Sequence, residues 1–230
     1  MKNLTLIIPA KHEKDSLPVF LSEIRYLKCK KIIIIQKEDL DTLSIARKFT
    51  DVKILIQKTN GYGSAIKEGI KIAQTKYFCI INADGSMNPS YLNKMLKLLD
   101  TKKLDFVFAS RYLLPGGGSD DDSLLTYFGN FFFTKLGNIF FSLNISDILF
   151  TYVMGNTKLF NLLNLKSKDF TLCVEFPIKM HAQKFSYQVI PSFERKRIAG
   201  KKKVNAFKDG ILILFTMFCM FFEKLIIKKK

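Results

Sequence analysis

The sequence contains few of the residues that enzymes most often use for nucleophilic catalysis or for binding metals. Only two histidines occur among 230 residues, which gives little support to a histidine-rich metal cluster or a Ser-His-Asp triad. The cysteines lie too far apart for a zinc site or a disulfide framework; they are Cys29, Cys79, Cys173 and Cys219. A chain with this cysteine usage is expected in a reducing cytoplasm.

Acidic residues are also scarce. The chain has 20 Asp and Glu against 37 Lys and Arg, which gives a net charge of +17. Much of the excess lies at the end of the chain, because residues 194–230 contain 11 basic and 3 acidic side chains, a net charge of +8. A charge of this size indicates an anionic partner, such as a diphosphate, a polyanion or an anionic membrane surface.

The sequence has no apolar run of the length that crosses a bilayer. Its C-terminal segment has about twelve uninterrupted apolar residues before Glu223, whereas a spanning helix needs roughly 20. We therefore expect residues 204–230 to form an amphipathic or apolar helix that lies on a membrane or docks on the protein, with a single span disfavoured. The apolar stretch before Pro9 is too short for a signal peptide.

Apolar residues are nevertheless abundant, at 48% of the chain with 22 Phe but no Trp. This excludes a disordered chain and indicates a rich core, an apolar surface for lipid, or both. Five short apolar runs alternate with segments of helical periodicity, which predicts βαβ units. The fold class is therefore α/β, a doubly wound, mostly parallel sheet with helices on both faces. The runs span residues 4–8, 31–35, 52–56, 77–81 and 105–109.

The second half of the chain is less regular. A glycine-rich and acid-rich loop at residues 113–123 is long enough for a lid or an acceptor-site loop, although a solvated linker is the plainest interpretation. The following stretch has a broad helical stripe that we expect to pack in the core, with a lipid-facing groove less favoured; its members are Phe128, Phe131, Phe132, Leu136, Ile139, Phe140 and Leu143. A further helix is expected near FTLCVEFPIKMHAQ and a further strand within residues 185–194. We expect one domain over residues 1–203, with halves at 1–112 and 113–203.

The fourth apolar run leads into INADGSMNP, residues 81–89. This places the carboxylate of Asp84 at the carboxyl edge of the predicted sheet, where α/β proteins bind ligands. Asp84, with Ser86 as a weaker oxygen ligand, would suit a magnesium or manganese ion that bridges two phosphates. The alternative is an Asx turn in which Asp84 only ties loop amides together.

Other polar groups follow neighbouring strands at the same predicted edge. Gly61 and Gly63 would let the backbone approach a ligand at a helix N-terminus. Glu13 would accept bonds from a base or ribose, or would cap the first helix. Arg111 ends the fifth strand and its guanidinium suits phosphate, the alternative being a surface ion pair.

A basic loop occupies residues 194–203, ERKRIAGKKK, and places six cations within ten residues. Such a run repels itself unless an anion compensates it. A phosphate of a lipid or nucleotide fits this loop better than nucleic acid, because the interleaved aromatic platform of single-strand binders is absent. We therefore expect no nucleic-acid partner.

Taken in order, these segments resemble the family-two inverting glycosyltransferases of GT-A fold, specifically the dolichol-phosphate mannosyltransferase-like branch that glycosylates polyprenyl phosphates. LIIPAKHEKDSLP resembles the family's first strand and turn, NGYGSAIKEGIKIA its glycine turn and helix, INADGSMNP its Asp-x-Asp segment and ASRY its Gly-Ser-Arg-Tyr strand end. ISDILFTYVMG resembles the Asp-centred acceptor segment, and VIPSFERKRIAGKKKVNAFKDG the terminal Arg-x-x-Gly loop. The resemblance covers nearly the whole chain in the family's order.

The resemblance implies transfer of a sugar, with inversion, from a nucleotide-diphosphate sugar to a polyprenyl phosphate or related glycolipid. It implies a divalent cation, Mg²⁺ or Mn²⁺, and a cytoplasmic protein in peripheral contact with the inner face of a membrane. Residues 1–112 would bind the nucleotide and residues 113–203 the acceptor. The implied nucleotide-binding residues are Pro9, Glu13, Gly61, Gly63, Asn82 and Asp84. The implied metal ligands are Asp84 and Ser86, the implied catalytic residues Asp84, Asp147 and Arg111, and the implied acceptor or phosphate ligands Arg111, Arg197 and Lys201.

Two alternatives remain open from the sequence. Gln36 and Asn82 stand where the family usually has aspartates, so a non-catalytic protein of the same fold that binds a nucleotide sugar or a lipid is the second hypothesis. The acceptor group is also undecided. An ionised phosphate needs no strong base, whereas a sugar hydroxyl requires a carboxylate such as Asp147 to take its proton.

Overall fold

The computed structural model describes residues 1–228, and its centre is a seven-stranded sheet. All five strands expected from the apolar runs are present. Four of these strands are covered on both faces, which is why they are continuous apolar runs and not alternating ones; the third, at the edge of the sheet, is only partly buried. Their bounds are β1 (Leu4–Ala10), β2 (Lys30–Ile35), β3 (Lys53–Ile56), β4 (Tyr77–Ile80) and β5 (Phe106–Ser110).

Four further strands follow, namely β6 (Gly118–Ser119), β7 (Val153–Asn156), β8 (Tyr187–Pro191) and β9 (Phe193–Glu194). The order in the main sheet is β3-β2-β1-β4-β7-β5-β8, and β7 is antiparallel to both of its neighbours. The sequence did not predict β7. Gly155 within it lies directly against Phe106, because a Cβ at this position would come 2.1 Å from the ring. The short strands β6 and β9 pair in parallel as a separate two-stranded sheet.

Helices cover both faces of the sheet, as expected. One core cluster joins the sheet to α1 (Leu17–Glu23), α2 (Leu40–Ala46) and α4 (Leu92–Thr101). The other joins it to α3 (Tyr62–Lys71), α5 (Leu124–Phe141), α6 (Thr157–Leu162), α7 (Leu172–Ala182) and α8 (Ala206–Lys228).

Polar residues precede two of these helices. Asp39 caps α2 by accepting a hydrogen bond from the amide of Thr42, and Ser16 precedes α1. Asn88 caps a short 3₁₀ turn, Pro89–Tyr91, that leads into α4.

The orientation of α5 corrects one expectation. Four members of the predicted stripe, Phe128, Phe131, Phe132 and Ile139, are 49–63% exposed and do not pack in the core. The buried side of α5 instead combines small, polar and aromatic residues, namely Asn130, Phe133, Thr134, Gly137 and Phe141. Periodicity alone could not show this, because both sides of α5 are rich in phenylalanine.

The C-terminal helix α8 docks on the domain. Ile213 and Met217 are buried, and Phe221 packs on Phe140 of α5 with 4.9 Å between ring centroids. Among the described residues, every helix lacks either the length or the apolar character that crossing a membrane requires. Lys229 and Lys230, the end of the predicted C-terminal segment, lie outside the described residues.

Candidate active site

A cleft of about 690 Å³ opens at the carboxyl edge of the sheet. Each of the first five strands contributes a polar residue to its lining from the loop that follows it. These are Glu13 after β1, Gln36 after β2, Gln57 after β3, Asp84 after β4 and Arg111 after β5. The predicted convergence of these loops is therefore present in the fold, because parallel strands end at one edge.

Asp84 is nearly buried, with 8% of its surface exposed, and its two carboxylate oxygens have different partners. Oδ1 accepts hydrogen bonds from the amide and the hydroxyl of Ser86, at 3.0 and 2.9 Å. Oδ2 lies 3.4 Å from Nη1 of Arg197. One oxygen therefore forms the Asx turn and the other faces the guanidinium of Arg197, and the metal-binding role of Asp84 stays a prediction.

The basic loop after β9 folds across the cleft, and we call residues 195–203 the basic strap. Backbone hydrogen bonds attach it to the loop after β4: the amide of Ile198 donates to the carbonyl of Asp84 at 2.8 Å, and that of Arg195 to Ser86 at 2.9 Å. The Arg195 side chain donates to the Gly85 carbonyl and pairs with Glu23 at 2.7 Å. The strap and Asp84 therefore face each other across one cleft.

Carboxylates of the cleft compensate the strap's cations. Arg197 pairs with Asp121 at 2.6 Å, and Lys203 pairs with Glu13. Burial lowers the pKa of Arg197, but its hydrogen bond to Asp121 and the charge of Asp84 raise it more, so its pKa lies above the ordinary value. Arg197 therefore stays charged in the cleft.

Asp121 and Asp122 belong to the glycine-rich and acid-rich loop, which is not a solvated linker. Both line the cleft, and Lys202 lies 3.8 and 3.7 Å from them. Burial raises the pKa of Asp122, but hydrogen bonds from Thr126 and Tyr112 outweigh burial and lower it below its ordinary value. The second half of the chain thus supplies a charged wall of the cleft.

Gly61 lines the cleft, but the glycine turn serves a protein contact. Gly61 has φ +115°, and a Cβ there would come 2.1 Å from the carbonyl oxygen of Lys168. Gly63 is buried under the carbonyls of Ser167 and Asp169 and is absent from the cleft lining. The turn therefore allows close approach of residues 167–169, a role that the sequence interpretation did not include.

Asn82 is held in a small polar network that follows β4. The hydroxyl of Tyr62 donates to its Oδ1 at 2.9 Å and lies 2.6 Å from the hydroxyl of Thr151. Tyr62 also stacks on Phe170, with 4.9 Å between ring centroids. Burial raises the pKa of Tyr62 above its ordinary value, so the phenol remains protonated.

Glu13 does not cap the first helix with its side chain, because α1 begins only after Ser16. Its carboxylate accepts a hydrogen bond from Ser16 and pairs with Lys203, and its amide donates to Thr42 at 2.9 Å. Together with Pro9, Glu13 forms the β1 side of the cleft.

Asp147 lies behind the cleft wall, with no exposed side-chain surface. Its Oδ2 accepts from the amide and Nε of Arg111 at 3.0 and 2.8 Å, and its Oδ1 accepts from Nη2 at 3.0 Å. Asn130 donates to Oδ1 at 2.6 Å. Both oxygens of Asp147 are therefore occupied by protein donors.

Arg111 forms a buried ion pair and not a surface one. Its Nη1 lies 3.2 Å from Glu194, and its guanidinium carbon lies 4.6 Å from the ring centre of Phe150. Burial lowers the pKa of Arg111, but the charge of Asp147 and then that of Glu194 raise it well above the ordinary value. Two carboxylates thus share one guanidinium.

The predicted site residues are only partly brought together. Pro9, Glu13, Gly61, Asn82, Asp84, Ser86, Arg111 and Arg197 all line the cleft. Gly63, Asp147 and Lys201 do not; Lys202 and Lys203 take the position expected of Lys201. Their roles in binding and catalysis stay predictions. Sequence interpretation missed Tyr62, Asp121 and Glu194, although the acidic run contained Asp121 and the basic loop began at Glu194.

The sheet order, the antiparallel β7 and the cleft at the carboxyl edge are those of the GT-A glycosyltransferase fold, as superposition on known structures shows. Mannosyl-3-phosphoglycerate synthase from Rubrobacter xylanophilus superposes with a TM-score of 0.72 over 97% of this chain and 74% of that chain, at 13% identity. Glucosyl-3-phosphoglycerate synthase from Mycobacterium tuberculosis, solved with UDP, superposes with a TM-score of 0.70 over 96% of this chain and 80% of that chain, at 12% identity.

The particular family follows from the sequence itself. The model of glycosyl transferase family 2 matches residues 5–163, so the chain belongs to this family. Uncharacterised glycosyltransferases of Mycobacterium bovis and Mycobacterium tuberculosis are 30% identical to it over 113 residues, which are 49% of this chain and 50% of each relative. The chain thus matches about half the length of these relatives.

Proposed function

We propose that the protein transfers a sugar, with inversion, from a nucleotide-diphosphate sugar to a lipid-linked acceptor, a polyprenyl phosphate or related glycolipid. This assigns it to the dolichol-phosphate mannosyltransferase-like branch of its family. The observation that carries the proposal is the pairing of Asp84 with Arg197 across the cleft. The structurally similar glucosyl-3-phosphoglycerate synthase was crystallised with UDP, which supports a nucleotide donor.

The residues of the cleft fit a divalent cation of the kind found in that synthase, which was crystallised with Mn²⁺ and with Mg²⁺. Magnesium and manganese take hard oxygen ligands, often one or two carboxylates plus substrate phosphates. Asp84 supplies one such carboxylate, and the hydroxyl of Ser86 lies within the same turn. The ion would neutralise charge on the diphosphate as it leaves.

This chain's own residues would position the donor. Glu13, Gln36 and Gly61 lie at the nucleotide end of the cleft, where the backbone turns and side-chain amides are accessible. Arg197 and Lys203 would move from their present carboxylate partners onto the diphosphate, because a diphosphate carries more charge than either partner. Positioning and charge neutralisation would supply most of the rate. The division into a nucleotide half, 1–112, and an acceptor half, 113–203, is part of this proposal.

An exposed apolar surface next to the cleft supports a lipid-linked acceptor. Leu125 and Phe133 of α5 and Ile213 of α8 line the cleft, and the same two helices carry a group of exposed apolar side chains. We call this group the α5–α8 face; it comprises Leu124, Leu125, Phe128, Phe131, Phe132, Ile139, Phe207, Ile211, Phe215, Phe218 and Phe222, all 47% exposed or more. Exposed apolar patches of this kind mark contact sites on soluble proteins.

We propose that an anionic bilayer covers this face, with the protein at the cytoplasmic surface of the membrane. Lys201 and Lys208 lie just before and at the start of α8, so cations accompany the apolar side chains. Apolar burial together with attraction to anionic headgroups is what holds peripheral helices on membranes. A lipid acceptor would then enter the cleft from its membrane side.

Vesicle sedimentation tests this contact. Phe128→Asp and Phe215→Asp should each weaken binding to phosphatidylglycerol vesicles by about tenfold or more, because burial of a phenylalanine contributes about 1.5–3 kcal/mol. Tyr26→Asp is the matched control, since Tyr26 is 69% exposed but lies outside the α5–α8 face. Equal vesicle binding by all four proteins would contradict the membrane proposal, and dimerisation through the face would assign it to a second copy.

The transfer activity is tested by incubating the protein with nucleotide sugars and a membrane lipid extract, with mass spectrometry of the lipid product. A sugar-bearing lipid that forms with the wild type and not with Asp84→Asn supports the function. Binding of a nucleotide sugar without any product would favour a non-catalytic binding protein.

A further inference from the structure

We infer that Glu194 takes the proton from a sugar hydroxyl of the acceptor, so that the acceptor is a hydroxyl-bearing glycolipid and not a polyprenyl phosphate. The inference rests on the proposed glycosyl transfer. It chooses the glycolipid over the polyprenyl phosphate, and it therefore departs from the polyprenyl-phosphate branch named above. It depends on three observations. One oxygen of Glu194 has no partner among the described residues, Arg111 is already paired with two carboxylates, and these three side chains together carry a net negative charge.

Glu194 is 8% exposed, yet it lines the cleft. Its Oε2 is fixed by the hydroxyl of Ser119 at 2.6 Å and by Nη1 of Arg111 at 3.2 Å. Its Oε1 accepts no hydrogen bond from the described residues. A buried carboxylate with one oxygen fixed and the other free is oriented to accept a hydrogen bond from a ligand.

The surroundings of Arg111 disfavour a phosphate. Arg111 is already shared by Asp147 and Glu194, so this group of three carries a net negative charge. Asp121 and Asp122 also line the cleft, but Arg197 and Lys202 pair with them. A phosphate monoester placed beside Arg111 would meet the net negative charge of the group of three, whereas a hydroxyl would donate to Glu194.

Asp147 cannot perform this proton transfer in the present arrangement. Its side chain has no exposed surface, and Arg111 and Asn130 occupy both of its oxygens. It is a positioning residue that holds Arg111, which in turn holds Glu194. The other buried carboxylates that line the cleft have partners on both oxygens, so Glu194 is the buried one whose second oxygen has no partner among the described residues.

Glu194 is also connected to the donor side of the cleft. Ser119, which donates to Glu194, accepts a hydrogen bond from the amide of Asp121 at 3.2 Å. Asp121 pairs with Arg197, and Arg197 pairs with Asp84. A series of hydrogen bonds thus joins Glu194 to Asp84, and its Arg197 contacts would be exchanged when a diphosphate binds.

The chemical step is balanced without a further reactant. The acceptor hydroxyl oxygen forms a bond to the anomeric carbon of the donor sugar, and the bond from that carbon to the diphosphate oxygen breaks. The electron pair of the broken bond leaves with the nucleoside diphosphate. The hydroxyl proton moves to Oε1 of Glu194 and is released to water after the product leaves.

Two acceptors with the same tail test the inference, dodecyl β-glucoside and dodecyl phosphate. Each is assayed with UDP-glucose or GDP-mannose, whichever the wild type binds more tightly, and sugar transfer is measured by mass spectrometry. Glu194→Gln keeps the shape of the side chain and an acceptor for Arg111. It should lower kcat with the glucoside by about 100-fold or more, while the KM for the donor changes less than about threefold.

Glu194→Asp should recover part of the rate. Glu38→Gln, which alters an exposed glutamate outside the cleft lining, should leave the rate unchanged. Transfer to dodecyl phosphate at least as fast as to the glucoside, or full activity of Glu194→Gln, would overturn the inference and leave the proposed function standing. A wild type that binds neither donor would overturn both.

Discussion

Asp147 is expected to be one of the largest single contributors to stability at the cleft. Its carboxylate is fully buried and receives four hydrogen bonds, three from Arg111 and one from Asn130. Asp147→Ala leaves the guanidinium of Arg111, 11% exposed, with Glu194 as its remaining carboxylate partner. Breaking a buried pair in this way costs about 3–5 kcal/mol, a large part of the roughly 5–15 kcal/mol that stabilises a typical domain.

The assay is urea denaturation followed by far-UV circular dichroism at neutral pH. Asp147→Ala should lower the midpoint without changing the slope, since the surface exposed on unfolding stays the same. Asp41→Ala is the matched control, because Asp41 is 70% exposed in its pair with Lys14 and exposed pairs contribute little. Equal midpoints for the two variants would refute the view that Asp147 anchors Arg111.

Two further predictions concern the glycine turn and its neighbouring loop. Gly61→Ala should destabilise the protein by about 1–3 kcal/mol or more in the same assay, because φ is +115° and the new Cβ meets Lys168. Gly129→Ala, where a Cβ meets nothing within 4 Å, should not destabilise it; equal losses for the two would contradict the geometry. Burial raises the pKa of Glu175, but hydrogen bonds from Lys179 and the amides of residues 166 and 167 lower it more, below its ordinary value. The ionised Glu175 carboxylate therefore stabilises the fold fully above its unfolded-state pKa, and this stabilisation is lost as pH falls through its folded-state pKa. The difference in unfolding free energy between wild type and Glu175→Gln should thus shrink on acidification. A difference that stays constant with pH would exclude a stabilising role for the Glu175 charge.

The sheet was predictable because β1 to β5 are nearly continuous apolar runs that end in polar loops. The strand β7 was not predictable from the sequence. One of its four residues is Gly155, which is needed there because it packs against Phe106, 49 positions away in the chain. The side of α5 that faces the core was also not predictable, because phenylalanine occurs on both sides of this helix.

In the candidate site, too, features that depend on neighbouring residues in the chain were predictable, and contacts between distant residues were not. The position of Asp84 after β4 and the self-repulsion of the basic loop are local features, and both led to the cleft. The ion-pair partners of the strap could not be predicted from the sequence. Lys203 pairs with Glu13, 190 positions away in the chain, and Arg197 pairs with Asp121, 76 positions away. The role of Glu194 became visible only once β9 had placed it beside Arg111.

The central claim is that Asp84 and the basic strap hold a nucleotide diphosphate between them. Calorimetric titration of the wild type and of Asp84→Asn with UDP and with GDP, each with and without Mn²⁺, tests it most directly. The account expects the wild type to bind one of them, more tightly with Mn²⁺, and Asp84→Asn to lose at least about tenfold in affinity, or about 1.4 kcal/mol, together with the effect of Mn²⁺. Equal affinity of the two proteins under both conditions would contradict it.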